Sequence, residues 1–360
     1  MTAVPSRAPG RLVFDRAPLR VYWELTRACE LACRHCRAEA VQFRHPGELD
    51  TAEGLQLLER LASFGDPKPH LVLTGGDPLK RPDLYVLIEA ARALGLGVSV
   101  APSATPLLTP PEIRRLKEAG VEAISLSLDG STAARHDALR GIRGTFERTL
   151  AAARTAQAVG LPFQINTLVA DETLDDLPAI YLLASELHAA RWSLFFLVSV
   201  GRGTVLEQVS PEEAEALMRW LVELSGQPGG GGLVVTTTEA PHFRRVLLQR
   251  RGPAVRGHGA GIRDGNGIMF ISHTGEVHPS GFLPLSAGNV RTQDVLEIYR
   301  GSHLFRTLRH ADLFDGRCGR CEYHWQCGGS RARAYAATGD PFGEDPLCGY
   351  QPKKFPPALP

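Results

Sequence analysis

Val21-Tyr-Trp-Glu-Leu25, a short apolar run, leads after three residues into Cys29-Glu-Leu-Ala-Cys33-Arg-His-Cys36. Three of the chain's seven cysteines fall within those eight residues. Thiolates are soft ligands, and a tight group of them reads first as a metal or iron–sulfur site. Three is one fewer than a cubane cluster takes, which leaves one iron free to hold another ligand. A structural zinc knuckle completed by a distant fourth ligand is the alternative at this point. A strand that ends in such a loop also suggests how the fold begins: with a strand whose C-terminal end carries the chemistry.

Working outward, short apolar runs alternate with helix-period segments as far as residue 225. Strands are expected over residues 21–25, 70–73, 98–101, 123–128, 163–169 and 194–198, with helices between them. Asp50 reads as the N-cap of one helix and Pro110-Pro111 as the first turn of another. Six strands, each followed by a helix, predict a parallel sheet with right-handed crossovers. A closed eight-fold barrel takes about 250 residues, so an α/β fold built as an open, partial (β/α)6 TIM-like barrel is expected. The glycine-rich stretch 226–232 marks a boundary. Beyond it a strand over 233–237, a basic helix over 242–251 and a hairpin over 267–278 are expected. The chain therefore divides into an extension (1–20), the barrel (21–225), a bridging segment (226–266) and a small cysteine-rich unit (267–360).

The 360 residues carry a formal net charge of +1, which gives no electrostatic footprint for nucleic acid or a membrane surface. No apolar run approaches the ~20 residues of a membrane span, and residues 1–20 lack the apolar core of a signal peptide. An odd number of clustered cysteines suits metal ligation in a reducing cytoplasm better than a disulfide framework.

The spacing of Cys29, Cys33 and Cys36 resembles the signature of the radical S-adenosylmethionine (SAM) enzymes. In that family the open iron is chelated by SAM, and one-electron reduction gives methionine and a 5′-deoxyadenosyl radical that takes hydrogen from a substrate. The resemblance continues along the chain. Thr74-Gly75-Gly76-Asp77-Pro78 is similar to the turn that holds the SAM amino group, with Asp77 where Glu is usual. Ser125-Leu-Ser127-Leu-Asp129-Gly130 and Arg140 match a second pattern, which implies that Ser127 and Arg140 hold the SAM carboxylate; a planar guanidinium matches a carboxylate bidentately. Asn166 is expected at the ribose or adenine, and Leu197, Val198 and Gly201 at the adenine pocket. His35 stands where the family often has an aromatic, and is expected to pack on adenine.

Cys318-Gly-Arg-Cys321-Glu-Tyr-His-Trp-Gln-Cys327, with Cys348 beyond, supplies four thiolates. Four make a closed shell for a [4Fe–4S] cluster or a structural zinc. The surroundings resemble the SPASM/twitch extension of radical SAM enzymes, which implies iron–sulfur. Ser280 and Ser330 stand where the full pattern has cysteines for a first auxiliary cluster. One auxiliary cluster, held by Cys318, Cys321, Cys327 and Cys348, is therefore expected. The resemblance also implies a low-potential electron donor such as flavodoxin or ferredoxin.

SPASM relatives modify ribosomal peptides, mature sulfatases or decarboxylate the propionates of iron-bound tetrapyrroles. The short stretch before the first strand argues against a separate peptide-recognition domain. The single auxiliary cluster and the segment from Gly281-Phe-Leu-Pro to Gly288-Asn-Val look like the heme-biosynthesis branch. Arg244, Arg245, Arg250, Arg251, Arg331 and Arg333 are candidates to face substrate carboxylates. Peptide modification, and a non-catalytic iron–sulfur protein that binds SAM, stay open as alternatives.

Overall fold

A computed structural model describes residues 14–225, 232–252 and 261–353. Most of the expected glycine-rich boundary at 226–232 lies outside the described residues, as do residues 1–13, 253–260 and the tail after 353.

All six expected barrel strands are present: β1 (Arg20–Thr26), β2 (His70–Gly75), β3 (Val98–Val100), β4 (Ala123–Ser127), β5 (Phe163–Val169) and β6 (Arg191–Phe196). They pair in parallel and in chain order. Two more parallel strands extend the sheet beyond the six expected. β7 (Val234–Thr238) pairs with β6, and β8 (Ile268–Ile271) pairs with the opposite edge at β1. β9 (Glu276–His278) and β10 (Gly288–Asn289) then continue antiparallel. Among the described residues the result is one open ten-stranded sheet, β10-β9-β8-β1-β2-β3-β4-β5-β6-β7. The cysteine-rich region thus enters through the same sheet as the barrel. Both strands are expected from the sequence, at 233–237 and in the hairpin over 267–278, but not their pairing with the barrel, which saturates the N–H and C=O groups that the edges of β6 and β1 would leave bare.

Local chemistry sets the helices. Asp50 caps the helix Thr51–Ala62 through a capping box, its carboxylate accepting from Glu53 N and the Glu53 carboxylate from Asp50 N, both at 2.8 Å. Leu57, Leu58 and Leu61 on that helix are buried, and each contributes about 1.5–3 kcal/mol by leaving water. Pro110 and Pro111 open the helix Pro110–Glu118 after the Thr109 cap, as expected.

Strand alternation separates two environments. Val21, Trp23 and Leu25 on β1, Leu71 and Leu73 on β2, and Ile124 and Leu126 on β4 are buried beneath the helices. Towards the C-terminal ends of the strands the alternate residues are polar: Glu24 and Thr26, Thr74, Ser125 and Ser127, with Asn166 on β5. A closed barrel fills its interior with branched aliphatic side chains; this one lines it with hydroxyls, amides and a carboxylate. That polar inner face is where a site is built.

Candidate functional site

The inner face opens into a cavity of about 220 Å³ at the C-terminal ends of the strands. Cys29, Cys33 and Cys36 all line it, as do His35, Thr74, Gly75, Gly76, Ser127, Asn166, Leu197 and Val198. Arg140 lines it too, so the residues expected around the cofactor share one cavity with the cysteine triad, apart from Asp77 and Gly201. The loop is pinned to its neighbours by backbone bonds: Cys29 N to Val41 O (2.8 Å), Asp77 N to Ala28 O (2.8 Å) and Arg202 N to Cys36 O (3.1 Å).

All seven cysteines are free thiols. Their sulfurs already accept N–H groups, the pattern that thiolate ligands of a cluster use. Leu31 N reaches Cys29 Sγ at 3.4 Å and Ala40 N reaches Cys36 Sγ at 3.5 Å. Burial pushes the Cys29 thiol pKa up, with Asp77 and Cys33 adding to it and the Leu31 N–H and Ser103 hydroxyl opposing. The donor set and its open side fit a three-thiolate cluster with SAM as the fourth ligand.

Asp77 departs from the others in its side chain, which is not placed in the cavity and leaves the backbone of the turn as the expected partner of the SAM amino group. Its side chain is fully buried and does not line the cavity. The carboxylate accepts the Thr105 hydroxyl at 2.7 Å and the N–H groups of Leu79 (3.2 Å) and Ser103 (3.4 Å). Burial raises its pKa against these hydrogen bonds. The residue ties the Gly-Gly turn to the loop after β3. Ser103, held this way, lies 3.6 Å from Cys29 Sγ and donates to Gly76 O at 2.7 Å.

Arg140 reaches the cavity with its charge already paired. Its Nη2 lies 2.5 Å from Asp129 Oδ2, and its Nη1 is 3.6 Å from Cys33 Sγ. Burial opposes its charge, yet Asp129 and Cys33 together hold its pKa above the ordinary value. Asp129, just past the end of β4, received no role from sequence. Its backbone N–H donates to His136 Nδ1 (3.1 Å), and its Oδ1 accepts Leu168 N (2.7 Å). Burial pushes the Asp129 carboxyl up, but Arg140, His35 and His136 outweigh that and hold it below the usual range. His35 is neutral: burial lowers its pKa to about 4, helped by Arg140, Arg202 and Arg34 and opposed by Asp129.

Glu24, Arg37 and His273 form a further group that sequence reading missed. Glu24 Oε2 lies 3.1 Å from Arg37 Nη1, and Oε1 lies 2.7 Å from His273 Nδ1. This joins β1, the cysteine loop and the turn between β8 and β9. Arg37 also sits 4.6 Å over the Phe270 ring, and Phe282 from the same C-terminal region lines the cavity. A buried glutamate in the middle of an otherwise apolar first strand was the available signal.

The other four cysteines meet in a second, far smaller cavity of about 20 Å³. Tyr323 N, Gly329 N and Asp345 N donate to Cys321, Cys327 and Cys318 Sγ at 3.4–3.5 Å. Arg331 Nη2 is 3.5 Å from Cys318 Sγ. Burial raises the thiol pKa of Cys321, Cys327 and Cys348, the last to about 11. Among the described residues, no three His, Cys, Asp or Glu side chains converge closely enough to hold one ion. Four sulfurs spread round a cavity fit a cluster, which offers each a separate iron, better than one tetrahedral zinc.

Ser330 caps the helix Arg331–Thr338: its hydroxyl accepts Arg333 N at 3.1 Å and donates to Glu239 Oε2 at 2.5 Å. Ser280 accepts Phe282 N at 3.3 Å. The six arginines suggested for substrate carboxylates do not line the larger cavity. Arg331 and Arg333 are fully buried, the first on the carbonyls of Pro341 and Gly343, the second on Asp345. Arg245 pairs with Glu215, Arg251 donates to Val222 O, and Arg244 donates to Gln326 O. Arg250 is exposed. No described helix is long and apolar enough to cross a membrane.

Residues 23–184 match the radical SAM superfamily, and residues 263–322 match SPASM, an iron–sulfur cluster-binding domain. An AdoMet-dependent heme synthase from Methanosarcina barkeri is 40% identical over 353 residues, covering 95% of this chain and 99% of that protein. A PqqA peptide cyclase from Gluconobacter oxydans is 31% identical, covering 93% and 91%. The crystal structure of Streptococcus suis SuiB bound to S-adenosylmethionine superposes with a TM-score of 0.73 at 17% identity, over 93% of this chain and 78% of SuiB.

Proposed function

The chain belongs to the radical SAM superfamily, and from that premise we propose that it acts on an iron-bound tetrapyrrole, oxidatively decarboxylating propionate side chains. It is an enzyme with a SPASM-type iron–sulfur domain, and its cofactors are SAM and [4Fe–4S] clusters. The observation that carries the substrate reading is the end-to-end likeness to AdoMet-dependent heme synthase, 40% identical over 99% of that protein.

In this reading Cys29, Cys33 and Cys36 hold the SAM cluster, and Cys318, Cys321, Cys327 and Cys348 hold one auxiliary cluster. When bound, these groups supply a 5′-deoxyadenosyl radical that accepts a hydrogen atom and, at the auxiliary cluster, an electron acceptor. A propionate becomes a vinyl group by losing one hydrogen atom, one CO2 and one electron, so both are needed. The protein's own part is positioning. Thr74, Gly75 and Gly76 present backbone to SAM, with Ser127 and Asn166 on the adjoining strands. Neutral His35 offers an uncharged ring. Phe195 and Phe282 give the cavity apolar faces on which a flat macrocycle can stack. A low-potential donor of the flavodoxin or ferredoxin type and a cytoplasmic setting belong to the same proposal, supported by seven cysteines that are all free.

The test is anaerobic incubation of reconstituted enzyme with SAM, reductant and an iron porphyrin bearing propionates. Mass spectrometry should show loss of CO2 and two hydrogens per propionic acid side chain, with 5′-deoxyadenosine formed in step. The 31% likeness to a PqqA peptide cyclase favours the competing reading. 5′-Deoxyadenosine formed with a peptide and not with the porphyrin would establish that one instead.

A further inference from the structure

Three arginines line the larger cavity, and two have their charge met by the protein. Arg37 is paired with Glu24 and Arg140 with Asp129. Arg202 differs. Its Nη1 donates to Ala40 O at 3.3 Å, while its Nε and Nη2 are buried and have no hydrogen-bond partner among the described residues.

Those two atoms form one edge of the guanidinium, with their N–H bonds directed side by side. That edge is the fork that grips a carboxylate bidentately. Leaving a buried donor unmet costs about 1–3 kcal/mol, so two at one edge are a standing cost that a ligand would remove. The position is also fixed. Arg202 lies in the short 3-10 turn Gly201–Val205 after β6. Its N–H is bound to Cys36 O, and Gly201, at φ +54°, presses on the carbonyls of Cys36 and Arg37 so closely that a Cβ has no room. Arg202 is therefore held against the cysteine loop. His35, on the same loop and lining the same cavity, has a buried Nδ1 that is likewise unpartnered.

We propose that Arg202 is the carboxylate clamp of this cavity, its free Nε–Nη2 edge binding a carboxylate of a bound ligand. Two ligands carry that group: SAM, through its methionyl end, and a substrate with acidic side chains. The second source rests on the tetrapyrrole reading above.

The experiment uses full-length, anaerobically reconstituted wild type, Arg202→Gln and Arg202→Lys. SAM affinity is measured by equilibrium dialysis. Binding of iron coproporphyrin, a tetracarboxylate, and of its tetramethyl ester is followed by absorbance. Arg202→Gln should weaken one of the two carboxylate ligands by about ten- to a hundredfold, the loss expected for one or two charge-assisted hydrogen bonds. Arg202→Lys, which keeps the charge without the fork, should fall between. Weakened SAM assigns the clamp to the cofactor. Weakened porphyrin, with the ester indifferent to the substitution, assigns it to the substrate. Both affinities staying within about twofold of wild type, a negligible energy, overturns the proposal. If wild type does not bind the porphyrin at all, the tetrapyrrole reading fails separately, and an unchanged SAM affinity then overturns the clamp as well. Should Arg202→Gln fail to take up iron, the same comparison is made with Arg202→Lys.

Discussion

The two cysteine sites differ in what they leave open. Three thiolates around residues 29–36 border a cavity of about 220 Å³ that polar strand ends share, whereas four thiolates around residues 318–348 enclose only about 20 Å³. Ligand count and space agree at both places. An iron lacking a protein ligand needs space for a second molecule, and a fully ligated cluster needs none. Charge follows the same division. The larger cavity keeps an arginine edge and a histidine nitrogen unpartnered, while the two arginines that line the smaller one, Arg245 and Arg317, have their charges paired with Glu215 and Glu344.

The strongest way to break this contrast is to delete one site. The Cys29→Ala/Cys33→Ala/Cys36→Ala variant should form no 5′-deoxyadenosine while keeping about four of the eight irons expected for two cubanes. Iron assay with Mössbauer or EPR spectroscopy reads this, and complete loss of iron would mean the sites are not independent. A steric version is nearly as severe. Gly75, at φ +139°, lies against Thr26 O, and Gly329, at φ +67°, lies against Arg331, Asp345 and Cys318. Alanine at either should destabilise the fold by about 3 kcal/mol, as strain at a left-handed position with no space does. Gly75→Ala should lose SAM binding first and Gly329→Ala the auxiliary iron; the reverse would undo the assignment.

Asp77→Ala removes a buried carboxylate with three hydrogen bonds and should cost about 2–3 kcal/mol in urea unfolding. SAM affinity should move far less than stability; a collapse of affinity at unchanged stability would restore the side-chain contact. Acid provides a gentler probe. Burial lowers the pKa of His136 from 6.5 to about 4, with Arg140 adding and Asp129 opposing. The folded state therefore favours the neutral ring. Stability from this group is full above pH 6.5 and declines as pH falls towards 4, by roughly 1–2 kcal/mol at pH 5. His136→Asn, which still offers an acceptor to Asp129 N–H, should flatten that slope. The smallest effect belongs to Ser330→Ala. Losing a helix cap costs about 1 kcal/mol, and the iron content should not change, because the residue serves a helix and not a cluster.

Sequence carried far at both sites, for different reasons. The triad, the Gly-Gly turn and the strand-end polar residues were legible because each lies where a short strand stops, and six strand–helix repeats bring those ends together. What escaped was long-range pairing. Whether Arg140 meets a ligand or Asp129 depends on side chains eleven residues apart on different elements. Whether Asp77 points into the cavity depends on a loop near residue 105. The basic residues of the C-terminal part looked like a substrate surface because spacing does not reveal burial; in the fold Arg245 and Arg331 brace the smaller thiolate site, Arg333 is buried on Asp345, and Arg250 is exposed. The partner of β8 was similarly hidden: the hairpin over 267–278 was legible, but its four residues Ile-Met-Phe-Ile pair with a strand nearly 250 positions upstream.

That pairing has a consequence for how the protein is made. On the ribosome, β1 and the cysteine loop emerge first, yet the outer edge of β1 stays bare until Ile268–Ile271 has been synthesised. Until then its N–H and C=O row is a template for any other strand, nascent or aggregated. A chain halted at residue 225 would keep the whole cysteine triad and the turn for SAM, and still be a sticky intermediate. Maturation should therefore favour late loading of iron, after translation has brought the last third of the polypeptide alongside the first strand.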